Sequence, residues 1–398
     1  MTRRSPPAGK LHVLMLNWRD TSNPEGGGSE RYVENVARHL ADAGHTVTVF
    51  CAAHPQAPRD EMRDGVRFVR RGSKLGVYPQ ALGHMLAGRL GRFDVVVDVQ
   101  NGVPFLSRLA TRRPVVVLVH HVHREQWQVV YGRLRARIGW WVESWVAPRL
   151  YRNSQYVAVS EVTRQELVGL GVDARRIAVV HNGTEPPPPT VPGRSEHPTL
   201  CVLGRLVPHK RVEHAFEAVR ALRGELPGLR LRVVGHGWWH DELRDAAGRL
   251  GVADAVHFTG FVDDATKHAE LAQSWVLLTP SLKEGWGLCV MEAAGHGVPT
   301  VAYASAGGVA ESVRDHETGL LVGDDVGELV AAVRRLLVDE QLRERLGAAA
   351  RARSTEFSWA ASAESFLTVL RTAVAGGLRR DSDPLDVAPV GPASRGVA

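Results

Sequence analysis

Two glutamates with seven residues between them, Glu284 and Glu292, are the side chains of this sequence best placed to do chemistry. Glu284 comes shortly after the apolar run 275–278, which predicts a buried parallel strand. Gly285 and Gly287 follow it and let the backbone approach a ligand closely, because glycine has no Cβ. A helix predicted to begin near Gly287 directs its free N–H groups at the same place, which suits a phosphate or pyrophosphate.

The second carboxylate, Glu292, is expected about two turns into that helix, among apolar neighbours. A carboxylate in such a place requires polar partners, and the hydroxyls of a sugar would supply them. The spacing alone leaves another interpretation open, because two-glutamate spacings are common. In that interpretation Glu284 is a solvated loop acid and Glu292 a capped or salt-bridged acid of the core.

Three further loops combine glycine with a predicted strand end. Residues 204–210 read Gly-Arg-Leu-Val-Pro-His-Lys, and Arg205 and Lys210 could neutralise a departing pyrophosphate. Residues 26–30 read Gly-Gly-Gly-Ser-Glu and open the first predicted helix, with Ser29 as its N-cap. Residues 305–308 also precede a helix, and their glycines are expected to offer N–H groups to phosphate. Taken singly, the first two of these loops could instead be a solvated basic loop and a flexible linker.

Composition limits the class of protein. A chain of 398 residues, 44% apolar and 23% charged, is typical of a globular protein with two domains. Its net charge of +6 suits an anionic ligand or an anionic membrane surface, whereas no DNA- or RNA-binding motif indicates nucleic acid. Three isolated cysteines without metal-ligand spacing indicate buried thiols in a reducing cytoplasm. We expect neither a signal peptide nor a transmembrane helix.

Short β-rich runs alternate with longer helical periods in both halves of the chain, a pattern that predicts two doubly wound α/β domains. A proline-rich stretch, 185–198, separates the halves and is expected to be an interdomain linker. The first helix is expected to end at Gly44. Strands are expected at 11–17, 46–51, 66–70, 95–99, 115–120, 156–160, 200–203, 231–234, 256–259, 275–279, 300–303 and 320–322.

Residues 284–299 resemble the E-x7-E region of family 4 retaining glycosyltransferases, and 204–210 resemble that family's G-R-L-x-x-x-K pattern. The resemblance extends from about residue 11 to about residue 366 and implies the GT-B fold, with two Rossmann-like domains facing each other across a cleft. It implies an acceptor-side domain at 1–185 and a nucleotide-sugar-binding domain at 186–358. A helix at about 359–375 would cross back to the first domain. Residues 376–398, rich in proline, glycine, aspartate and serine, are expected to form a disordered tail.

The resemblance also implies roles for individual residues. Glu284 would contact the donor sugar, Glu292 would hold the ribose hydroxyls, and Arg205 and Lys210 would stabilise the departing diphosphate. Glu311 matches a position expected to be structural. The other implied donor-binding positions are Gly27, Gly28, Gly204, Gly235, Gly285, Trp286, Gly287 and Leu288.

Residues 120–123, His-His-Val-His, follow a predicted strand. Their spacing matches no zinc pattern, and no set of cysteines or carboxylates accompanies them, so a metal site is not expected. The resemblance implies that His120 lies near the reacting centre, with His121 taking that place if the register shifts by one. The only D-x-D sequence, 381–383, falls in the predicted tail. We therefore expect transfer without an essential metal, with Arg205, Lys210 and helix dipoles replacing a divalent cation.

Residues 124–152 combine basic and aromatic side chains on a predicted helical stretch. Three interpretations remain open: core packing of the aromatics beneath solvated arginines, a position in a bilayer interface, or stacking against a carbohydrate acceptor. The residues concerned are Arg133, Arg135, Arg137, Arg149, Arg152, Trp127, Tyr131, Trp140, Trp141 and Trp145.

The implied activity is transfer of a hexose-type sugar from a nucleotide-diphosphate sugar to an acceptor hydroxyl, with retention of configuration. A UDP-sugar is the preferred donor, and the acceptor could be a carbohydrate, a lipid-linked saccharide or a small molecule. The expected location is the cytoplasm, with peripheral contact at the inner face of the membrane through 124–152 as a further expectation. A sugar-nucleotide epimerase of GT-B fold and a catalytically silent sugar-nucleotide-binding protein are the alternatives.

Overall fold

A computed structural model describes residues 9–124, 126–127 and 132–378. Its first sheet is built from the first half of the chain, in the strand order β3-β4-β2-β1-β5-β6-β7-β8. The neighbouring strands are parallel except for the antiparallel pair β3–β4 at one edge. The strands are β1 His12–Leu16, β2 Thr46–Cys51, β3 Asp60–Arg63, β4 Val66–Arg70, β5 Val95–Gln100, β6 Val115–Val119, β7 Gln155–Ala158 and β8 Ile177–Val179.

The second sheet is built from the second half of the chain and is parallel throughout, in the order β11-β10-β9-β12-β13-β14. No helix or strand interrupts 185–198, the stretch between the two halves. The strands are β9 Thr199–Leu203, β10 Arg230–Val234, β11 Val256–Gly260, β12 Val276–Thr279, β13 Thr300–Tyr303 and β14 Gly319–Val322.

Helices cover the two sheets. Central strands such as β5 and β6 are buried along their whole length, because valine-rich parallel strands are covered on both faces. The α-helices are Gly28–Asp42, Val77–Leu86, Arg133–Trp141, Ala147–Leu150, Glu161–Gly169, Glu213–Leu222, His240–Arg249, Asp264–Gln273, Leu288–Gly295, Val309–Ser312, Val326–Val338, Glu340–Ser354 and Trp359–Val374, with a π-helical turn at Val142–Val146. In the described part of the chain, no helix is both long and apolar enough to cross a bilayer.

The first helix, Gly28–Asp42, begins differently from the prediction. Gly27 is its N-cap, and Ser29 lies inside the first turn. The buried Glu30 side chain reaches back, so that the Gly27 N–H donates to its Oε2 at 2.7 Å and the Ser29 hydroxyl donates to the same oxygen at 2.9 Å. The Ser29 hydroxyl is therefore not a cap. Gly44, with φ of +87°, follows the helix as expected.

The helix Trp359–Val374 returns from the second half of the chain to the first. Its Trp359 and Phe366 rings pack edge-on against Tyr32 of the first helix, with centroids 5.9 and 6.2 Å away. This packing joins the C-terminal helix to the first half of the chain. The predicted disordered tail lies outside the described residues from 379 onward.

Candidate active site

A cavity of about 330 Å³ lies between the two sheets, within the size range of small-molecule sites. Its walls are the segments after β1, β6, β7 and β8 of the first sheet and after β9, β10, β11 and β12 of the second. Loops at the carboxyl ends of parallel strands are where open α/β sheets bind ligands. The cavity brings together every catalytic and donor-binding residue that the family resemblance implied: Gly27, Gly28, His120, Gly204, Arg205, Lys210, Gly235, Glu284, Gly285, Trp286, Gly287, Leu288 and Glu292.

Glu284 is held by its own backbone and by two side chains. Its N–H donates to the Ala306 carbonyl at 2.8 Å. Its carboxylate accepts a hydrogen bond from the Ser281 hydroxyl at 2.7 Å and forms an ion pair with the Lys210 ammonium. Burial alone would raise the pKa of this carboxyl, but the Lys210 charge and the hydrogen bonds outweigh burial and lower the pKa. Glu284 is therefore an ionised carboxylate at neutral pH.

Glu292 is the fifth residue of the helix Leu288–Gly295, a little over one turn from its start. Its Oε1 pairs with Lys267 Nζ at 2.6 Å and with Arg31 Nη1 at 3.0 Å. Arg31 belongs to the first helix, so this ion pair joins the two halves of the chain. Glu292 is thus salt-bridged, as one interpretation of the sequence held, and it also lines the cavity.

Arg205 and Lys210 both reach the cavity from the loop after β9, but their surroundings differ. Arg205 lies against the glycine loop of the first half, where its Nη1 donates to the Glu25 carbonyl at 3.4 Å. Burial, with Arg19 nearby, lowers the pKa of Arg205. No carboxylate of the described residues forms a salt bridge with this guanidinium. Lys210 follows the short turn Pro208–Lys210 and is neutralised by Glu284.

His120 directly follows β6, and one of its ring nitrogens makes no hydrogen bond. Its Nε2 is buried and has no hydrogen-bond partner among the described residues, and Tyr32 packs edge-on at 5.3 Å. Burial lowers the pKa of His120 to about 4 against the opposing charge of Glu30. The neighbouring His121 instead bonds Gln126 Oε1 through Nε2 at 2.8 Å. A buried nitrogen without a partner is rare in proteins, so the geometry favours His120 as the ligand-facing histidine.

Two glycines of the cavity allow close backbone approach. A Cβ on Gly285 would lie 2.2 Å from the His120 carbonyl oxygen, and one on Gly235 would lie 2.0 Å from that of Gly204. Gly285 is therefore a point at which the two halves meet. Gly287, with φ of +87°, is the N-cap of the helix Leu288–Gly295, as predicted.

The glycine loop 305–308 does not have the predicted phosphate-binding geometry. The Gly308 N–H donates to the Glu284 carbonyl at 3.0 Å, and none of the four residues lines the cavity. A donor already engaged by the backbone is not free for phosphate, so the prediction was wrong for this loop. The loop instead supports the backbone of Glu284.

Two other residues selected from the sequence make packing or capping contacts between elements. The Trp286 side chain is 2% exposed and packs against His181 and Phe357, and its buried Nε1 has no hydrogen-bond partner among the described residues. The Glu311 carboxylate accepts from the N–H groups of Glu161 and Val162 at 2.9 and 2.6 Å. Glu311 thus caps the helix Glu161–Gly169 of the first half, in agreement with a structural role.

Several residues that line the cavity were not predicted from the sequence. Arg31 follows the glycine loop by three positions, and His209 directly precedes Lys210. Their closeness in sequence to predicted site residues could have identified both. Lys267 comes from the helix Asp264–Gln273, which was not predicted. Asn182 Oδ1 and His209 Nδ1 are buried without a hydrogen-bond partner among the described residues.

The tryptophans of 124–152 are divided between interior and surface. Trp127 and Trp140 are half-buried, whereas Trp141 and Trp145 are exposed; Tyr131 lies outside the described residues. Within the described ranges, no group of three histidine, cysteine or carboxylate side chains is arranged to hold a metal ion.

Comparison with known proteins gives two family matches that together span most of the chain. Residues 26–187 match the model described as Glycosyltransferase Family 4, and residues 190–353 match the model described as Glycosyl transferases group 1. The chain is 30% identical to the MMP alpha-(1->4)-mannosyltransferase of Mycolicibacterium hassiacum over 92% of this chain and 99% of that protein.

Solved structures of similar fold cover the chain almost completely. Sucrose-phosphate synthase from Thermosynechococcus elongatus has a TM-score of 0.80 at 21% identity, over 92% of this chain and 100% of that one. HepE from Anabaena, in complex with UDP and glucose, has a TM-score of 0.70 at 19% identity, over 90% and 99%. The chain has the GT-B fold, in which two largely parallel sheets with covering helices face each other across a cleft.

Proposed function

This chain belongs to glycosyltransferase family 4, and on that basis we propose that it transfers a hexose-type sugar from a nucleotide-diphosphate sugar to an acceptor hydroxyl. We further propose that the anomeric configuration is retained and that no metal is required. One observation carries the proposal: cations, paired acids and a helix N-terminus from separate loops line a single cavity between the two sheets.

The diphosphate would lie against Arg205, Lys210 and the start of the helix Leu288–Gly295. Arg205 is a half-buried cation that forms no salt bridge with a carboxylate of the described chain, although Glu25, Glu30 and Glu284 lie near enough to act on its charge. A ligand phosphate would supply it with a directly paired counter-charge. As the bond to the sugar breaks, negative charge grows on the leaving diphosphate, and fixed cations there lower the barrier. The same charges would do the work that a divalent ion does in other transferases.

The sugar and the ribose would each meet one glutamate. The ionised Glu284 can accept hydrogen bonds from sugar hydroxyls and so orient the ring. Glu292 can accept from the ribose hydroxyls if these share or replace its contacts with Arg31 and Lys267. Binding of the donor is therefore coupled to an ion pair that spans the cleft.

Retention would follow from attack on the face that the diphosphate leaves. The acceptor oxygen would bond to the anomeric carbon as the carbon–phosphate oxygen bond breaks, and the acceptor proton would pass to the departing phosphate oxygen. With a pKa of about 4, His120 is neutral at pH 7 and serves as a hydrogen-bonding group rather than an acid. Glu284, already paired with Lys210, is a poor nucleophile, which disfavours a covalent intermediate.

Uridine is our preferred donor base, supported by the UDP complex of the similarly folded HepE. The acceptor would be a carbohydrate, a lipid-linked saccharide or a small molecule. A thermal-shift screen of UDP-, GDP- and ADP-sugars would identify the donor, because a ligand that binds the folded state raises its apparent stability.

The donor found in this way would then be assayed for transfer to an acceptor panel, with EDTA present, and the product anomer read by NMR. We expect the wild type to transfer the sugar with retention in the presence of EDTA, and Lys210→Ala to lose most of this activity. Arg244→Ala, which changes an exposed residue of the helix His240–Arg249, should keep full activity. Conversion of the sugar nucleotide without an acceptor would indicate an epimerase. Donor binding with neither transfer nor hydrolysis would indicate a silent binding protein.

A further inference from the structure

The helical stretch 133–150 has its small residues facing inward. Ala136, Gly139 and Ala147 are buried, together with Glu143. The ring of Trp127 packs so closely on this face that a Cβ on Gly139 would lie 2.4 Å from it. The Glu143 carboxylate accepts hydrogen bonds from the His123 N–H at 3.1 Å and from Trp127 Nε1 at 2.7 Å. The inner face is therefore closely packed around this carboxylate, and the half-buried Trp140 and Leu150 also pack against the core.

The outer face carries four large apolar side chains that are exposed to solvent. The spacing of four, three and four residues places them in one stripe along the helix. Trp141 and Trp145 stack with ring centroids 5.7 Å apart. An exposed row of large hydrophobics is unfavourable in water and marks a surface that contacts something else. The stripe consists of Leu134, Ile138, Trp141 and Trp145, which are 72%, 54%, 54% and 48% exposed.

Positive charge flanks this stripe on both sides. Five arginines of 132–152 are exposed, and the single carboxylate of that segment, Glu143, is buried. None of these arginines forms an ion pair with a carboxylate of the described residues. Arg149 lies over the Trp145 ring at 4.1 Å. The arginines are Arg133, Arg135, Arg137, Arg149 and Arg152.

We propose that the outer face of 133–150 docks onto an anionic membrane surface, with Trp141 and Trp145 at the level of the lipid headgroups. Indole rings favour the bilayer interface, and unpaired arginines gain from anionic headgroups. A carbohydrate acceptor fits the site less well, because neither tryptophan lines the cavity and neutral sugars offer no counterpart for five charges. The surface is independent of the transfer chemistry and would bring the cleft to the membrane.

Flotation of the full chain with vesicles tests the proposal. We expect binding to vesicles of 30% phosphatidylglycerol in phosphatidylcholine, little binding to phosphatidylcholine alone, and weakening as salt rises. Trp141→Ser/Trp145→Ser should weaken the partition at least tenfold. Arg137→Gln/Arg149→Gln should weaken it more than tenfold, since each basic residue contributes about fivefold at an anionic surface.

A matched control removes exposed apolar area elsewhere in the same half. Leu75→Ser/Leu86→Ser changes side chains that are 78% and 71% exposed and should leave the partition unchanged. Thermal unfolding of each variant confirms that it is folded. The proposal is overturned if the wild type does not bind the anionic vesicles, or binds neutral vesicles equally well. It is also overturned if neither the tryptophan variant nor the arginine variant weakens the binding. The proposal is also overturned if the wild type binds a soluble glucan, or forms a dimer, and the tryptophan variant no longer does so. Either result would identify a different occupant of this face.

Discussion

Adding one methyl group at Gly285 should separate the two halves of the cleft. The new Cβ would lie 2.2 Å from the His120 carbonyl oxygen and 3.4 Å from Val159 Cγ2, so the loop can neither stay nor slide past Val159. Van der Waals contact requires the loop to retreat by about 1 Å. The retreat moves Glu284 and the helix N-terminus away from His120. Because misplacement of reacting groups by about 1 Å costs on the order of 100-fold in rate, we expect kcat of Gly285→Ala to fall by about that factor.

The assay is release of nucleoside diphosphate from the donor that the thermal-shift screen identifies, with donor binding measured in parallel. Gly248→Ala is the matched control: Gly248 also has no positive φ, it lies in the helix His240–Arg249, and nothing lies within 4 Å of its added Cβ. The control should keep full activity and gain up to about 1 kcal/mol in stability. If Gly285→Ala is folded and retains kcat within threefold of wild type, the contact between loop and strand end is not part of the active geometry.

Three other perturbations have defined outcomes. Lys210→Ala should lower kcat by about 100-fold or more through lost stabilisation of the leaving diphosphate, as measured by steady-state kinetics; an unchanged kcat would refute its role. His120 has a pKa of about 4 when folded against 6.5 otherwise, so the unfolded chain takes up the proton first as pH falls. Between pH 7 and pH 5, the free energy of unfolding measured by urea titration should thus fall by about 2 kcal/mol more in the wild type than in His120→Asn. An equal fall in both proteins would contradict the burial of a neutral His120. Glu311→Gln should cost about 1 kcal/mol of stability in the same titrations with turnover unchanged, whereas lost turnover at unchanged stability would show a catalytic role.

Most buried strands were predicted, whereas β3 and β8, the strands at the two edges of the first sheet, were not. Runs such as Val115–Val119 are apolar throughout because helices cover both faces of a parallel sheet. β3, Asp60–Arg63, is charged and partly exposed and has no such pattern. The Asp64–Gly65 pair that follows has φ of +50° and +73°, the geometry of a two-residue hairpin turn. That dipeptide before Val66 could have revealed the hairpin.

The position of each site loop was predictable, but the contacts across the cleft were not. Glycine and charge at predicted strand ends marked Arg205, Lys210 and Glu284, because parallel sheets expose their carboxyl ends together. The partnership of Glu292 with Arg31 depends on how the two halves pack, which no local pattern encodes. Composition also failed to distinguish the loop at Gly308 from a phosphate loop, because a neighbouring carbonyl already occupies its N–H group.

A crystal structure of the protein with its tightest-binding nucleoside diphosphate gives the most direct answer about the cleft. We expect the phosphates to contact Arg205, Lys210 and the start of the helix Leu288–Gly295, and the ribose hydroxyls to donate to Glu292. A nucleotide bound outside the cavity between the two sheets, or one whose phosphates avoid both cations, would contradict the proposed donor site.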